Sequence, residues 1–171
     1  MKYLLFYFIF LSSLLASFEN INSFKADFLQ TIKDDKNKVL SYEGKVIASK
    51  PYSAVWNYVK PINKNVYISR NSITIVEPEI EQVIVKNIET NFNFFHLLQK
   101  ANKITDNSYM TEFNGTKFTL VIKDKLLYSI SYMDEFENLV KIIFSNQKYN
   151  SKIDKQRYIP LFSLDFDIVR D

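Results

Sequence analysis

Apolar and polar positions alternate along most of this chain. Phe24, Ala26, Phe28 and Gln30 alternate with Lys25, Asp27 and Leu29. Phe118, Leu120 and Ile122 do the same against Thr119, Val121 and Lys123, and Leu126, Tyr128, Ile130 and Tyr132 follow. Val140, Ile142 and Phe144 keep the spacing, and so do Phe162, Leu164, Phe166 and Ile168. A period of two with one apolar face predicts antiparallel strands solvated on one side. Turn chemistry falls between the runs, at Lys33 to Asn37, Arg70-Asn71, Asn114-Gly115, Lys123 to Lys125 and Asp134-Glu135. Asn114-Gly115 is the clearest of these, because a type I′ hairpin needs positive φ at both central positions.

The stretch from Tyr42 to Pro61 predicts two strands joined at Lys50-Pro51. Its alternation puts Ala54, Trp56 and Tyr58 on one face and Val55, Asn57 and Val59 on the other. Glu77, Glu79 and Glu81 continue the pattern as the solvated face of a further strand.

Helical spacing is clear once. Phe94, Leu97, Leu98 and Ala101 fall at i, i+3, i+4 and i+7, with Asn91 or Asn93 available as N-cap. Shorter helical turns are predicted around Phe18 to Asn22 and Asn150 to Gln156, the latter closed by Pro160. The fold expected is mainly β with a few short helices.

The first residues run Met1-Lys2, then apolar through Leu11, then Leu14-Leu15-Ala16-Ser17. One positive charge, a short apolar run and small residues describe a secretory signal peptide over 1–17, cleaved after Ala16 or Ser17. The run is shorter than the roughly 20 residues a membrane span needs. Residues 18–171 are expected to form a single domain, with neither repeat nor linker.

The formal net charge of +3 is too weak to argue for nucleic acid or an anionic membrane surface. Cysteine is absent, which excludes thiol catalysis, thiolate metal sites and lipidation of this chain at an N-terminal cysteine. Aromatic residues make up 16% of the chain and include 15 Phe and 11 Tyr, chemistry that suits a pleated, half-buried surface. His96 is the only histidine, so imidazole and thiolate cannot build a metal cluster, and its place beside Phe95 and Leu97 is that of an ordinary amphipathic-helix residue. Neither a G-x-S-x-G turn, nor a Gly-rich phosphate loop, nor an H-E-x-x-H helix occurs. Paired carboxylates, which have no local signature, leave a hydrolase as one alternative.

Four segments resemble the periplasmic outer-membrane lipoprotein carrier family, LolA. Gly44, Lys50, Pro51, Trp56 and Pro61 match its G-x5-K-P-x4-W-x4-P core, and Ser23 to Gln30 is similar to its S-F-x-A-x-F-x-Q strand. Pro78-x-x-Glu81-Gln82 and Asn114-Gly115-x-x-Phe118-x-Leu120 resemble a later strand start and hairpin. The resemblance implies an incomplete antiparallel β-barrel, closed by a helical lid over an apolar cavity. It implies a carrier without enzymatic activity or cofactor, in the periplasm, that takes the acyl chains of lipoproteins. Phe24, Phe28, Trp56, Tyr58, Phe94, Leu97 and Leu98 would line the cavity. Its partners would be acylated lipoproteins as cargo, an inner-membrane lipoprotein-releasing ABC transporter and, where one exists, an outer-membrane acceptor. The carrier itself is expected to be a monomer.

Two departures matter. Where much of the family has an arginine that latches the lid, this chain has Lys50, a point charge without the planar fork. Two residues before the tryptophan, an aromatic is replaced by Ala54. A different lipid-binding or envelope-sensing half-barrel is a second alternative that fold alone does not separate. Finally, Glu112-Phe113-Asn114-Gly115-Thr116 carries an N-x-[ST] acceptor with an acid two residues before it, which makes Asn114 a candidate N-glycosylation site as well as a turn residue.

Overall fold

The computed structural model describes residues 20–88 and 93–170. The leader assigned to residues 1–17 therefore lies outside the described residues, as do Phe18 and Asn91. Among the described residues, twelve strands form one sheet. They are β1 (Ser23–Lys33), β2 (Val39–Ser49), β3 (Ser53–Lys60), β4 (Lys64–Ile68), β5 (Ser72–Glu77), β6 (Gln82–Asn87), β7 (Asn102–Lys103), β8 (Ser108–Phe113), β9 (Thr116–Lys123), β10 (Leu126–Met133), β11 (Leu139–Tyr149) and β12 (Asp167–Arg170). The one α-helix among the described residues, α1 (Phe94–Gln99), lies between β6 and β7. No described helix is long and apolar enough to cross a membrane.

The strand order is β12-β6-β5-β4-β3-β2-β1-β11-β10-β9-β8-β7. Two meanders, β1 to β6 and β7 to β11, are joined in the middle of the sheet by antiparallel pairing of β1 with β11, Phe28 opposite Phe144. Local hairpins make the rest. Asn114 at φ 48° and Gly115 at φ 76° turn β8 into β9, and Asp124 at φ 50° and Lys125 at φ 64° turn β9 into β10, both with the positive φ pair of a type I′ turn.

The sheet is open and strongly curled. Trp56 on β3 and Phe144 on β11 are separated by two intervening strands, yet their ring centroids are 6.2 Å apart. The concave face holds the core, with Phe24, Phe28, Val46, Leu98, Leu127, Val140 and Phe144 buried in one cluster. A second buried set, Ile47, Val55, Val76 and Val83, occupies the opposite face of β2 to β6. The segment after β11 crosses that convex face, where the Tyr158 and Ser49 hydroxyls are 2.6 Å apart. It ends by laying β12 parallel to β6, Asp167 opposite Gln82.

Several expectations are corrected here. The sheet is not wholly antiparallel, because β12 arrives from across the convex face and not through a hairpin. The alternation from Phe162 to Ile168 is mostly not strand: only Asp167–Arg170 pairs, and Leu164 is fully exposed. The acidic run breaks after Glu77, where Pro78 opens a 3-10 turn (Pro78–Ile80) and Glu81 takes φ 54°. On β10 a bulge between Leu127 and Ser129 shifts the parity, so Leu127 is buried where the alternation would bury Leu126. The helical turn predicted near Asn150 to Gln156 sits slightly later, over Lys155–Tyr158, capped by the Asp154 carboxylate on Gln156 N–H. Described residues 20–22 are not helical.

Candidate functional site

Helix α1 begins where Asn93 accepts hydrogen bonds from Phe95 N–H at 2.9 Å and His96 N–H at 3.4 Å. At six residues it is too short to persist alone, so tertiary packing must hold it. Phe94, Phe95, Leu97 and Leu98 are buried, while His96 and Gln99 face solvent. Phe94 stacks on Phe24 of β1 with centroids 5.2 Å apart. The Lys50 ammonium sits 5.8 Å from the centre of the Phe95 ring, within cation–π reach.

Beside the helix, the concave face of the sheet forms an open pocket of about 460 Å³. Its walls come from both meanders: Ala48, Trp56 and Ile68 from one side, Phe118, Ile130 and Ile142 from the other. Phe94, Phe95 and Leu97 of α1 bound one end. The lining is largely apolar, and the volume lies in the range, roughly 300–1,000 Å³, of sites that take drug-sized ligands.

The other end is polar. Tyr58 donates its phenol proton to Gln30 Oε1 at 2.8 Å, and Tyr132 stands near them. Beyond lie Asp134 and Glu135 of the β10–β11 turn. Asp134 accepts from the Asn138 side-chain amide first, and from the N–H groups of Asn138 and Phe136, which holds its carboxyl below the usual carboxylate range. Burial pushes the Tyr58 phenol well above its usual range, and the neighbouring Tyr132 and Tyr42 add to this. Tyr132 is raised by burial first and by Asp134 second. Both phenols are therefore neutral donors at any physiological pH. Lys64 lies over the Tyr58 ring at 4.8 Å.

The structure divides the sequence-derived cavity residues. Trp56, Tyr58, Phe94 and Leu97 face the pocket. Phe24, Phe28 and Leu98 are packed in the core beneath it, the first at 0% exposure. Ala54 lines the pocket, so the missing aromatic there leaves space. Residues not singled out from the sequence, among them Gln30, Tyr132 and Ile142, also line it. Gln30 had a visible signal, as the one polar side chain in the inward row Phe24, Ala26, Phe28, Gln30, Ile32. Tyr132 and Ile142 had none, because alternation reports a face and not which face closes on which. Asn114 and Glu112 are exposed at the β8–β9 tip.

A family model described as outer membrane lipoprotein carrier protein LolA matches residues 19–127. An outer-membrane lipoprotein carrier protein from Campylobacter jejuni is 37% identical, over 99% of both chains. Proteins of the same description from Wolinella succinogenes and Helicobacter pylori are 31% and 34% identical, covering 91% and 82% of this chain and 91% and 76% of their own. Among solved structures, an uncharacterized conserved protein from Thermus thermophilus superposes with a TM-score of 0.55 at 11% identity, over 92% of this chain and 97% of its own. A LolA superfamily protein from Nitrosomonas europaea gives 0.51 at 9%, over 86% and 96%. Those two likenesses are of fold alone.

Proposed function

This chain belongs to the LolA family of outer-membrane lipoprotein carriers, and on that footing we propose that it seats the acyl chains of its cargo in the pocket beside α1 and shuttles them through the periplasm. The carrier role itself, with lipoproteins as cargo, follows from the family. The observation that carries the finer reading is the apolar pocket, walled by both meanders and bounded by a short helix. An anchor of roughly 40 methylenes at about 0.8 kcal/mol each would cost on the order of 30 kcal/mol to expose to water, so a soluble carrier must replace most of that contact.

A pocket of about 460 Å³ is smaller than such an anchor, which supports α1 acting as a movable lid. A helix this short, held by side-chain packing and a cap and not by its own length, can be displaced at small cost. Lys50 serves as its latch, a role supported by its ammonium over the Phe95 ring. Trp56, Tyr58, Phe94 and Leu97 touch the acyl chains directly, and Phe24, Phe28 and Leu98 support them from beneath. Residues 1–17 direct export and are removed. The protein works as a monomer, without cofactor or catalysis, between an inner-membrane ABC transporter that loads it and an outer-membrane acceptor where one exists.

Mass spectrometry of the protein purified from its own periplasm tests this. Co-purifying acylated proteins are expected, whereas free phospholipid alone would favour an envelope-lipid sensor.

A separate proposal is that Asn114 accepts an N-linked glycan. Support comes from the acceptor pattern on an exposed hairpin tip. With a lipid-diphosphate-linked oligosaccharide as donor, Asn114 Nδ2 bonds to the sugar C1, the C1–O phosphate bond breaks, and the lipid diphosphate and an amide proton leave.

A further inference from the structure

Within the acyl-binding reading, we propose that Gln30 and Tyr132 recognise the ester carbonyls at the head of the acyl chains and so set the direction in which cargo lies. The inward row of β1 is apolar except for Gln30. Its amide carbonyl is already used by the Tyr58 phenol at 2.8 Å, which turns the two N–H groups of Nε2 away as unused donors. Tyr132, near that pair on β10, has no hydrogen-bond partner for its hydroxyl among the described residues. Two half-buried donors therefore border an apolar space at one end.

Pure hydrocarbon filling the pocket would strip water from both donors and give nothing back, which is costly. An ester offers carbonyl acceptors directly beside methylene chains. Esters at Gln30 and Tyr132 would place the chain ends toward Phe94 and Leu97, at the far end of the pocket. The polypeptide of the cargo would then leave past Asp134 and Glu135, where the rim is already polar. Cargo lies head toward the β10–β11 turn and tail under α1.

The inference rests on acyl chains entering this pocket, and the test separates the two. Calorimetry would compare a cysteinyl peptide carrying two ester-linked palmitoyl chains with the same peptide carrying ether-linked hexadecyl chains, which lack the carbonyls. Wild type is expected to bind the ester roughly five- to tenfold more tightly, the return on one or two neutral hydrogen bonds. Gln30→Leu and Tyr132→Phe should each shrink that preference, weakening the ester and tightening the ether, whose chains no longer strip water from that donor. Retained binding of the ether also shows that they fold. If Gln30→Leu binds neither probe, Tyr132→Phe decides, since it removes a single oxygen. Equal binding of the two probes by wild type, or a preference that survives both substitutions, overturns the ester assignment and leaves the carrier reading standing. Binding of neither probe by wild type overturns the acyl-binding reading, and this inference with it.

Discussion

Gly44 lies directly under the ring of Phe28: a Cβ added at Gly44 would stand 2.6 Å from Phe28 Cζ and would also press on the Asn57 carbonyl oxygen. The missing side chain lets one aromatic lie flat across the neighbouring strand. From there Phe28 meets Trp56 and Tyr58 edge-on, each at 5.0 Å between centroids. Gly44→Ala must move backbone on β3 as well as a ring. We expect a loss of about 1–3 kcal/mol or more, the usual cost of overpacking, measured by urea unfolding. Unchanged stability would mean that the β2–β3 pairing can shift.

Trp56 faces the pocket and contacts Phe28 and Phe144, so its emission should report occupancy. Titration with an acylated peptide is expected to shift or quench its fluorescence saturably, and the non-acylated peptide should do neither. A spectrum indifferent to saturating cargo would remove Trp56 from the binding surface.

Lys50→Leu deletes the cation over Phe95 and keeps an aliphatic stem. An exposed cation–π contact is worth about 0.5–1 kcal/mol, so the closed position of α1 should weaken roughly two- to fivefold. Cargo transfer rates should change while the unfolding midpoint barely moves. Transfer kinetics identical to wild type would exclude a latch at this position.

The phenols of Tyr58 and Tyr132 are raised above the ordinary value of 10.0 by burial. Below about pH 10 they are protonated in both folded and unfolded chains, and their contribution to stability is fully present. As pH rises through that value the unfolded chain loses its phenolic protons first, so stability falls toward the raised folded values. Tyr58→Phe should flatten this alkaline decline in denaturation midpoints. The opposite sign, a steeper decline in the variant, would contradict the burial of this phenol.

At Asn114, intact-mass measurement of the protein purified from its own host should show an addition that Asn114→Gln abolishes. A mass equal to the processed polypeptide alone would dismiss the modification.

Much of this architecture was legible because it follows from local rules. Asn114-Gly115 and Asp124-Lys125 make the turns their residue types suggest, and Asn93 caps the one helix that had helical spacing. The strand face bearing Ala54, Trp56 and Tyr58 is likewise the one that alternation indicates. What could not be read was set by distant partners. Leu164 satisfies an alternating pattern but has no strand beside it, since β12 starts only where the chain reaches the β6 edge at Glu81 and Gln82. The Leu127 bulge depends on how β10 meets β9. One wall of the pocket belongs to β9, β10 and β11, and curvature, which no residue spacing encodes, brings Ile142 and Trp56 to the same space.

An unclosed sheet has two ends, and each end is a row of unpaired amides and carbonyls on which another molecule could polymerise. Here the outermost strands are the two shortest in the sheet, two residues at β7 and four at β12. So brief a template gives a growing fibril almost nothing to hold. Short outermost strands are thus one means by which an unclosed sheet resists pairing edge to edge with its own copies, without the closure that seals an ordinary barrel.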